Sequence, residues 1–289
     1  DAAVFDGTLG VRGTSLVRFV GWASGSAVPV NAKGDGAFGI RSQLSIAPGR
    51  VAARDIIGDL SGTAVYGAAH YRWEGRPELS LRLEGPQLDA RAFVPAGASL
   101  GSVLDLVLHG PSPSRAQGQA PSQALATRKS GWREGQTDTL IRLNAGELIT
   151  ASRTYRDVAI EIELKGGNLK LPLLRLTGDD GFNLELEGEV NEAAVRPKGN
   201  IRAVFSAESP QAIAPLTELL GIPETFRPNE RRASALVPLR MAGTMTFGSR
   251  SASSTDLTLD GEAKGANVRI NARLDGGPGG WRSGPAEIT

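Results

Sequence analysis

Apolar and polar residues alternate with a period of two along much of this chain. Leu79, Leu81 and Leu83 alternate with Ser80 and Arg82, and Val158, Ile160, Ile162 and Leu164 alternate with Ala159, Glu161 and Glu163. Leu184 and Leu186 lie among Asn183, Glu185 and Glu187, while Val268, Ile270, Ala272 and Leu274 lie among Arg269, Asn271 and Arg273. Leu44/Ile46, Leu169/Leu171 and Leu257/Leu259 are shorter instances. Successive side chains of extended backbone point to opposite faces, so each segment predicts a strand with one apolar and one polar face. Lys165-Gly166-Gly167-Asn168, Gly178-Asp179-Asp180-Gly181 and Asp275-Gly276-Gly277 supply turn residues between them. Closely spaced strands without intervening helices predict an antiparallel meander wetted on one side.

Three segments depart from this period. In Ser99–Gly110, Leu100, Val103, Leu104, Val107 and Leu108 recur at helical spacing, with Ser99 able to cap the start and Gly110 the end. Ser15–Gly21 places Leu16, Phe19 and Val20 on one helical face. After Ser209-Pro210, the residues Ile213, Leu216, Leu219 and Leu220 form an apolar stripe ended by Gly221 and Pro223. Pro215 lies inside that stripe, so the helix either kinks or begins there. Residues 111–136 lack periodicity and are rich in Ser, Gln, Ala and Pro, which predicts a solvated loop. Strands on both sides of it look alike. The expected organisation is a β unit over 1–110 with helices near 15–21 and 99–110, a loop insertion at 111–136, and a β unit over 137–289 with a helix near 209–220, all in one sheet.

A degenerate repeat supports this organisation. Ser15–Gly21 leads to Val28-Pro29-Val30, Phe38-Gly39 and Leu60-Ser61-Gly62-Thr63, and Ser209–Gly221 leads to Val237-Pro238-Leu239, Phe247-Gly248 and Leu259-Asp260-Gly261-Glu262. Repetition of a sheet unit points to an elongated structure.

Composition narrows the chemistry. The 289 residues include 37 Gly and 17 Pro, which excludes long helices and coiled coils. Aromatic residues are 5% against 40% hydrophobic, so the core is aliphatic. A net charge of +1 leaves no footprint for nucleic acid or an anionic membrane surface. The absence of Cys excludes disulfides and thiolate metal sites, and no cofactor motif occurs. No apolar run reaches the length of about 18 residues that a membrane span needs. The chain starts at Asp1 without a Met or a signal peptide, so an excised fragment is expected.

Candidate catalytic motifs have simpler readings. Gly97-Ala98-Ser99-Leu100-Gly101 matches G-x-S-x-G, but a nucleophile elbow needs a buried strand before it and a distant His. Ser99 therefore reads as a helix cap. Glu161/Glu163 and Glu185/Glu187/Glu189 share the polar side of their strands and read as a solvated sheet face. The Gly178–Gly181 carboxylates fall short of a calcium ligand set and read as a turn. His70 sits in a predicted strand and His109 closes a predicted helix, neither with a partner at metal spacing. Arg227, Arg231 and Arg232 cluster with Glu230 in a Pro-flanked loop, where guanidinium groups suit a phospholipid headgroup or a protein partner.

The apolar face itself is the remaining functional candidate. A sheet this long must cover that face, normally with a second sheet or helices, and the three short helices are too few. Either the sheet closes as a sandwich, which base rates favour, or it leaves a groove able to hold acyl chains. Leu79, Leu81, Leu83, Val158, Ile160, Ile162, Leu164, Leu184 and Leu186 are the candidate lining.

The order of several segments resembles the AsmA family of bacterial envelope proteins. The likeness is carried by Gly39–Tyr71 with Leu60-Ser61-Gly62-Thr63-Ala64, then Trp73–Leu79 and Leu88–Phe93. Asn144–Leu148 with Tyr155-Arg156-Asp157-Val158, and Ser206–Pro210 with Leu219–Pro223, continue it. The resemblance implies a twisted, taco-like sheet with an aliphatic interior, related to bridge-like lipid transfer proteins, and a role in moving phospholipid and maintaining the outer membrane. It implies a periplasmic body tethered to the inner membrane through a segment missing from this chain, and it carries no catalytic residues. The expected function is thus non-enzymatic, with phospholipid as ligand. The alternative is an assembly scaffold that binds outer-membrane proteins along a sheet edge.

Overall fold

The computed structural model describes residues 4–19, 35–91, 137–193, 196–219, 227–248, 254–275 and 286–288. The first nine strands are β1 (Phe5–Gly13), β2 (Phe38–Ala47), β3 (Arg50–Leu60), β4 (Thr63–Arg72), β5 (Glu78–Asp89), β6 (Asp138–Ile149), β7 (Thr154–Lys165), β8 (Asn168–Gly178) and β9 (Phe182–Asn191). Five more follow: β10 (Lys198–Ala207), β11 (Leu239–Phe247), β12 (Ser254–Ala263), β13 (Ala266–Asp275) and β14 (Ala286–Ile288). Between β10 and β11 lie helices α1 (Pro210–Leu219) and α2 (Glu230–Leu236). All fourteen described strands form one open sheet whose spatial order is the order of the chain. At about 4.8 Å between neighbouring strands, the sheet runs roughly 60 Å from β1 to β14.

The alternation becomes burial most cleanly in β9. Phe182, Leu184, Leu186 and Val190 are buried, and Asn183, Glu185, Glu187 and Glu189 are exposed. β8 reaches the same result through an irregularity. Pro172 cannot donate to a ladder, and the register with β9 shifts between Leu171 and Leu174, which returns both leucines to the apolar face. Asp55 and Asp157, both with φ of 49°, sit at register shifts of β3 and β7. Tight hairpins close where the turn residues predicted them: Gly166 and Gly167 have φ of 62° and 84°, and Gly181 has 85°.

Four expectations need correction. The meander is not antiparallel throughout, because β5 and β6 pair in parallel from Glu78↔Asp138 to Asp89↔Ile149. A short turn can only reverse the chain, whereas the connection over residues 90–137 carries it back to the starting end of β5. The sandwich is replaced by a single sheet, with no second sheet among the described residues. Arg231 and Arg232 belong to α2 rather than a loop, because Asn229 accepts the Arg232 amide hydrogen bond at 3.0 Å and starts a helix there. The repeat is also out of phase, since Phe38 opens β2 whereas Phe247 closes β11.

The part of the repeat that holds is strand, capped helix, antiparallel return. Ser15 accepts the Arg18 amide hydrogen bond at 3.1 Å at the helical turn over residues 16–19, and Ser209 accepts that of Ala212 at 3.3 Å. The helix near 209–220 is α1, which starts at Pro210 and contains Pro215. The expected helix at 99–110, with Ser99 and His109, and the loop at 111–136 lie outside the described residues.

Candidate functional site

The ladder registers place all nine candidate lining residues on one face. Leu83, Leu143, Ile160, Leu174 and Leu186 stand opposite one another across β5 to β9. The same row continues through Ala203, Gly243, Leu259 and Ile270, and in the other direction through Gly67 and Ile56. Leu81 leads through Ile141 to Ile162, and Leu79 through Thr139 to Leu164 and Leu169. Val158 stands beside Ala145, and Leu184 beside Leu176 and Phe205. The apolar face thus runs across the sheet, with glycines at Gly67 and Gly243 and a break in the Ile162 row at the β7–β8 register shift.

Its accessibility is uneven. Leu184 is 0% exposed, Leu171 1% and Val158 2%, and Ile162, Leu164 and Leu186 are also buried. α1 contributes to this: Ala212, Ile213, Leu216 and Leu219 join the same cluster as β9 and β10. Leu79, Leu81 and Leu83 are half-buried, and so is Ile160. At the β1 end, Phe5, Leu9 and Ile46 on the apolar face are 46%, 41% and 38% exposed. Access to the face is therefore greatest at the β1 edge, while Phe38, Ser42 and Val65 on the same face of β2 and β4 stay buried.

Several lining residues escape simple periodicity. Ile141 and Leu143 are masked by Leu140, which occupies the polar face of β6, and Ala203 and Phe205 are masked by Val204 on the polar face of β10. The available signal was registration with flanking alternating strands rather than the segment itself.

The opposite face is held by cross-strand ion pairs. Arg142 reaches Glu161 at 2.8 Å, Arg202 reaches Glu187 at 3.7 Å, Lys170 reaches Glu189 at 3.9 Å, and Arg269 pairs with Asp260. Glu161, Glu187 and Glu189 therefore pair across strands. Such exposed pairs contribute about 0–1 kcal/mol each, and opposite charges across a ladder disfavour slipped registers. His70 lies in β4, half-buried on this face. Arg227 precedes α2 and is half-buried, while Arg231 and Arg232 are exposed.

Among the described residues, no three His, Cys, Asp or Glu side chains gather as a metal site, and no helix is long and apolar enough to cross a membrane. Burial pushes the Tyr155 phenol above its ordinary range; its ring meets Phe182 edge-on at 6.0 Å as part of the packed core. Searches of family models, curated proteins and solved structures find no match to this chain.

Proposed function

We propose that this chain is a non-enzymatic, AsmA-like envelope protein that binds phospholipid acyl chains along the apolar face of its sheet. The supporting observation is the largely aliphatic face of one open sheet, with Phe5, Leu9 and Ile46 exposed and Leu79, Leu81 and Leu83 half-buried over β1–β5. Acyl chains ask for methyl groups and exclusion of water, and Leu79, Leu81, Leu83, Leu9 and Ile46 provide both without any directional polar contact. In this reading the protein works in the periplasm, tethered to the inner membrane by a segment outside this chain, and supports outer-membrane biogenesis.

Native mass spectrometry of the purified chain, with uptake of a fluorescent phospholipid, tests the proposal. Co-purified phospholipid and saturable uptake are expected. Replacing the half-buried Leu79, Leu81 and Leu83 together by Asn should remove uptake while the far-UV spectrum is retained. A clean apo mass with no uptake would sink the idea. The scaffold alternative draws on β1, a nine-residue strand at the edge of the sheet; it expects an extended peptide, rather than lipid, to bind along that edge.

A further inference from the structure

We infer that the polar face of β2–β6 carries a separate binding site for a phosphoryl group. A concavity of about 480 Å³ opens there, whose lining residues include Arg50, Arg54, Arg82, Arg142 and His70 and no Asp or Glu. Ala52 and Ser80 flank His70 across the β3–β4–β5 ladders, and Ala68 stands opposite Arg82, so short side chains around His70 leave the hollow. The volume lies in the range of small-molecule sites, about 300–1,000 Å³.

The charge arrangement points to an anion. Arg82 stands directly opposite Arg142 in the β5–β6 ladder, and Arg50 directly opposite Arg72 in the β3–β4 ladder. Like charges facing each other across a ladder are destabilising. Part of that repulsion is relieved, because Arg82 bonds Glu84 at 2.7 Å, Arg142 bonds Glu161 at 2.8 Å and Arg72 bonds Glu78 at 2.8 Å. Arg50 and Arg54 have no carboxylate within ion-pair distance among the described residues, and both are exposed. Two uncommitted guanidinium groups over a hollow that also holds Arg82, Arg142 and His70 form a strong anion receptor.

Phosphate suits it better than carboxylate, because its oxygens can accept from more than one guanidinium fork at once. No Phe, Tyr or Trp lines the hollow; His70 is the one aromatic ring in its lining. The ligand is therefore a phosphoryl group, on either a soluble phosphate compound or a lipid headgroup. This site is distinct from the acyl-binding reading, since it lies on the opposite face of the sheet.

Calorimetric titration with inorganic pyrophosphate at low ionic strength tests it. Saturable binding is expected, weakening as salt screens the exposed charges. Arg50→Gln with Arg54→Gln should weaken it by about tenfold or more, and Ala68→Glu, which sets a carboxylate opposite Arg82, should abolish it. Arg202→Gln, a change on the same face of β10, should leave it intact. Vesicles of phosphatidylcholine with phosphatidic acid identify the source: sedimentation competed by pyrophosphate indicates a headgroup, and pyrophosphate binding without sedimentation indicates a soluble ligand. Failure to bind pyrophosphate, or binding unchanged in the folded Arg50/Arg54 double variant, would overturn the assignment.

Discussion

Leu184 has no exposed surface and shares its row with Leu176, Phe205 and Met241. Its truncation to Ala should cost about 2–5 kcal/mol through lost transfer energy and an unfilled cavity, read as a lower urea midpoint. Thr139 is a subtler case. Its side chain lies on the apolar face between Leu79 and Leu164, 2% exposed, and its hydroxyl has no hydrogen-bond partner among the described residues. An unpaired buried hydroxyl is costly, so Thr139→Val should raise stability by about 1 kcal/mol. A fall in stability would reveal a partner for that hydroxyl. Asp157 holds a left-handed conformation that branched side chains resist. Asp157→Gly should be neutral or slightly stabilising, whereas Asp157→Val should destabilise by more than about 1 kcal/mol in the same measurement. At this scale the face on which Leu79, Ile162 or Leu186 lies was legible from parity alone. Depth was not, because the difference between buried Leu184 and half-buried Leu81 comes from what stacks above the sheet.

Elements were read best where backbone chemistry is local. The segments opening at Ser15 and Ser209 were legible as helical, and the Gly-rich tetrapeptides as turns between strands. Helix α1 was legible as an apolar stripe, but the position of Pro215 within it was not, since Pro210 supplies an equally good first residue. α2 was missed because seven residues around Arg231 and Arg232 carry too short a pattern to reveal a helix. The turn at residues 16–19 depends on a residue far from it in sequence: Ser15 donates to the Asp35 carboxylate at 2.5 Å, and the Val17 amide donates to the same group at 3.1 Å. Burial pushes the Asp35 carboxyl up, but the hydrogen bonds from Ser15, Val17 and Gly36 and the charge of Arg18 outweigh it, and the group ends below its ordinary value of 3.8. A carboxyl lowered by folding stabilises the protein above its unfolded value and loses that contribution as pH falls through the folded one. Urea unfolding followed with pH should therefore show stability declining below about pH 3.8, less steeply in Asp35→Asn.

For the molecule as a whole, strand order equal to chain order makes stability nearly a sum over neighbouring strands. Amide exchange should be slowest in β7–β9, where Val158, Leu171 and Leu184 are buried, and faster toward β1 and β13. Uniform protection by exchange mass spectrometry would contradict this. One-sided alternation made the sheet legible in outline, because only a shared apolar face explains so many strands with the same parity. The parallel step at β5 and β6 was not legible, since strand direction depends on where a long connection ends and leaves no mark in either strand. That step divides the architecture into two runs, β1–β5 and β6–β14, each antiparallel between neighbouring strands. Among the described residues, the two runs meet along the ladder from Glu78↔Asp138 to Asp89↔Ile149. A chain cut between residues 91 and 137 should therefore hold together as a complemented pair, and the two runs could be exchanged as modules between related sheets.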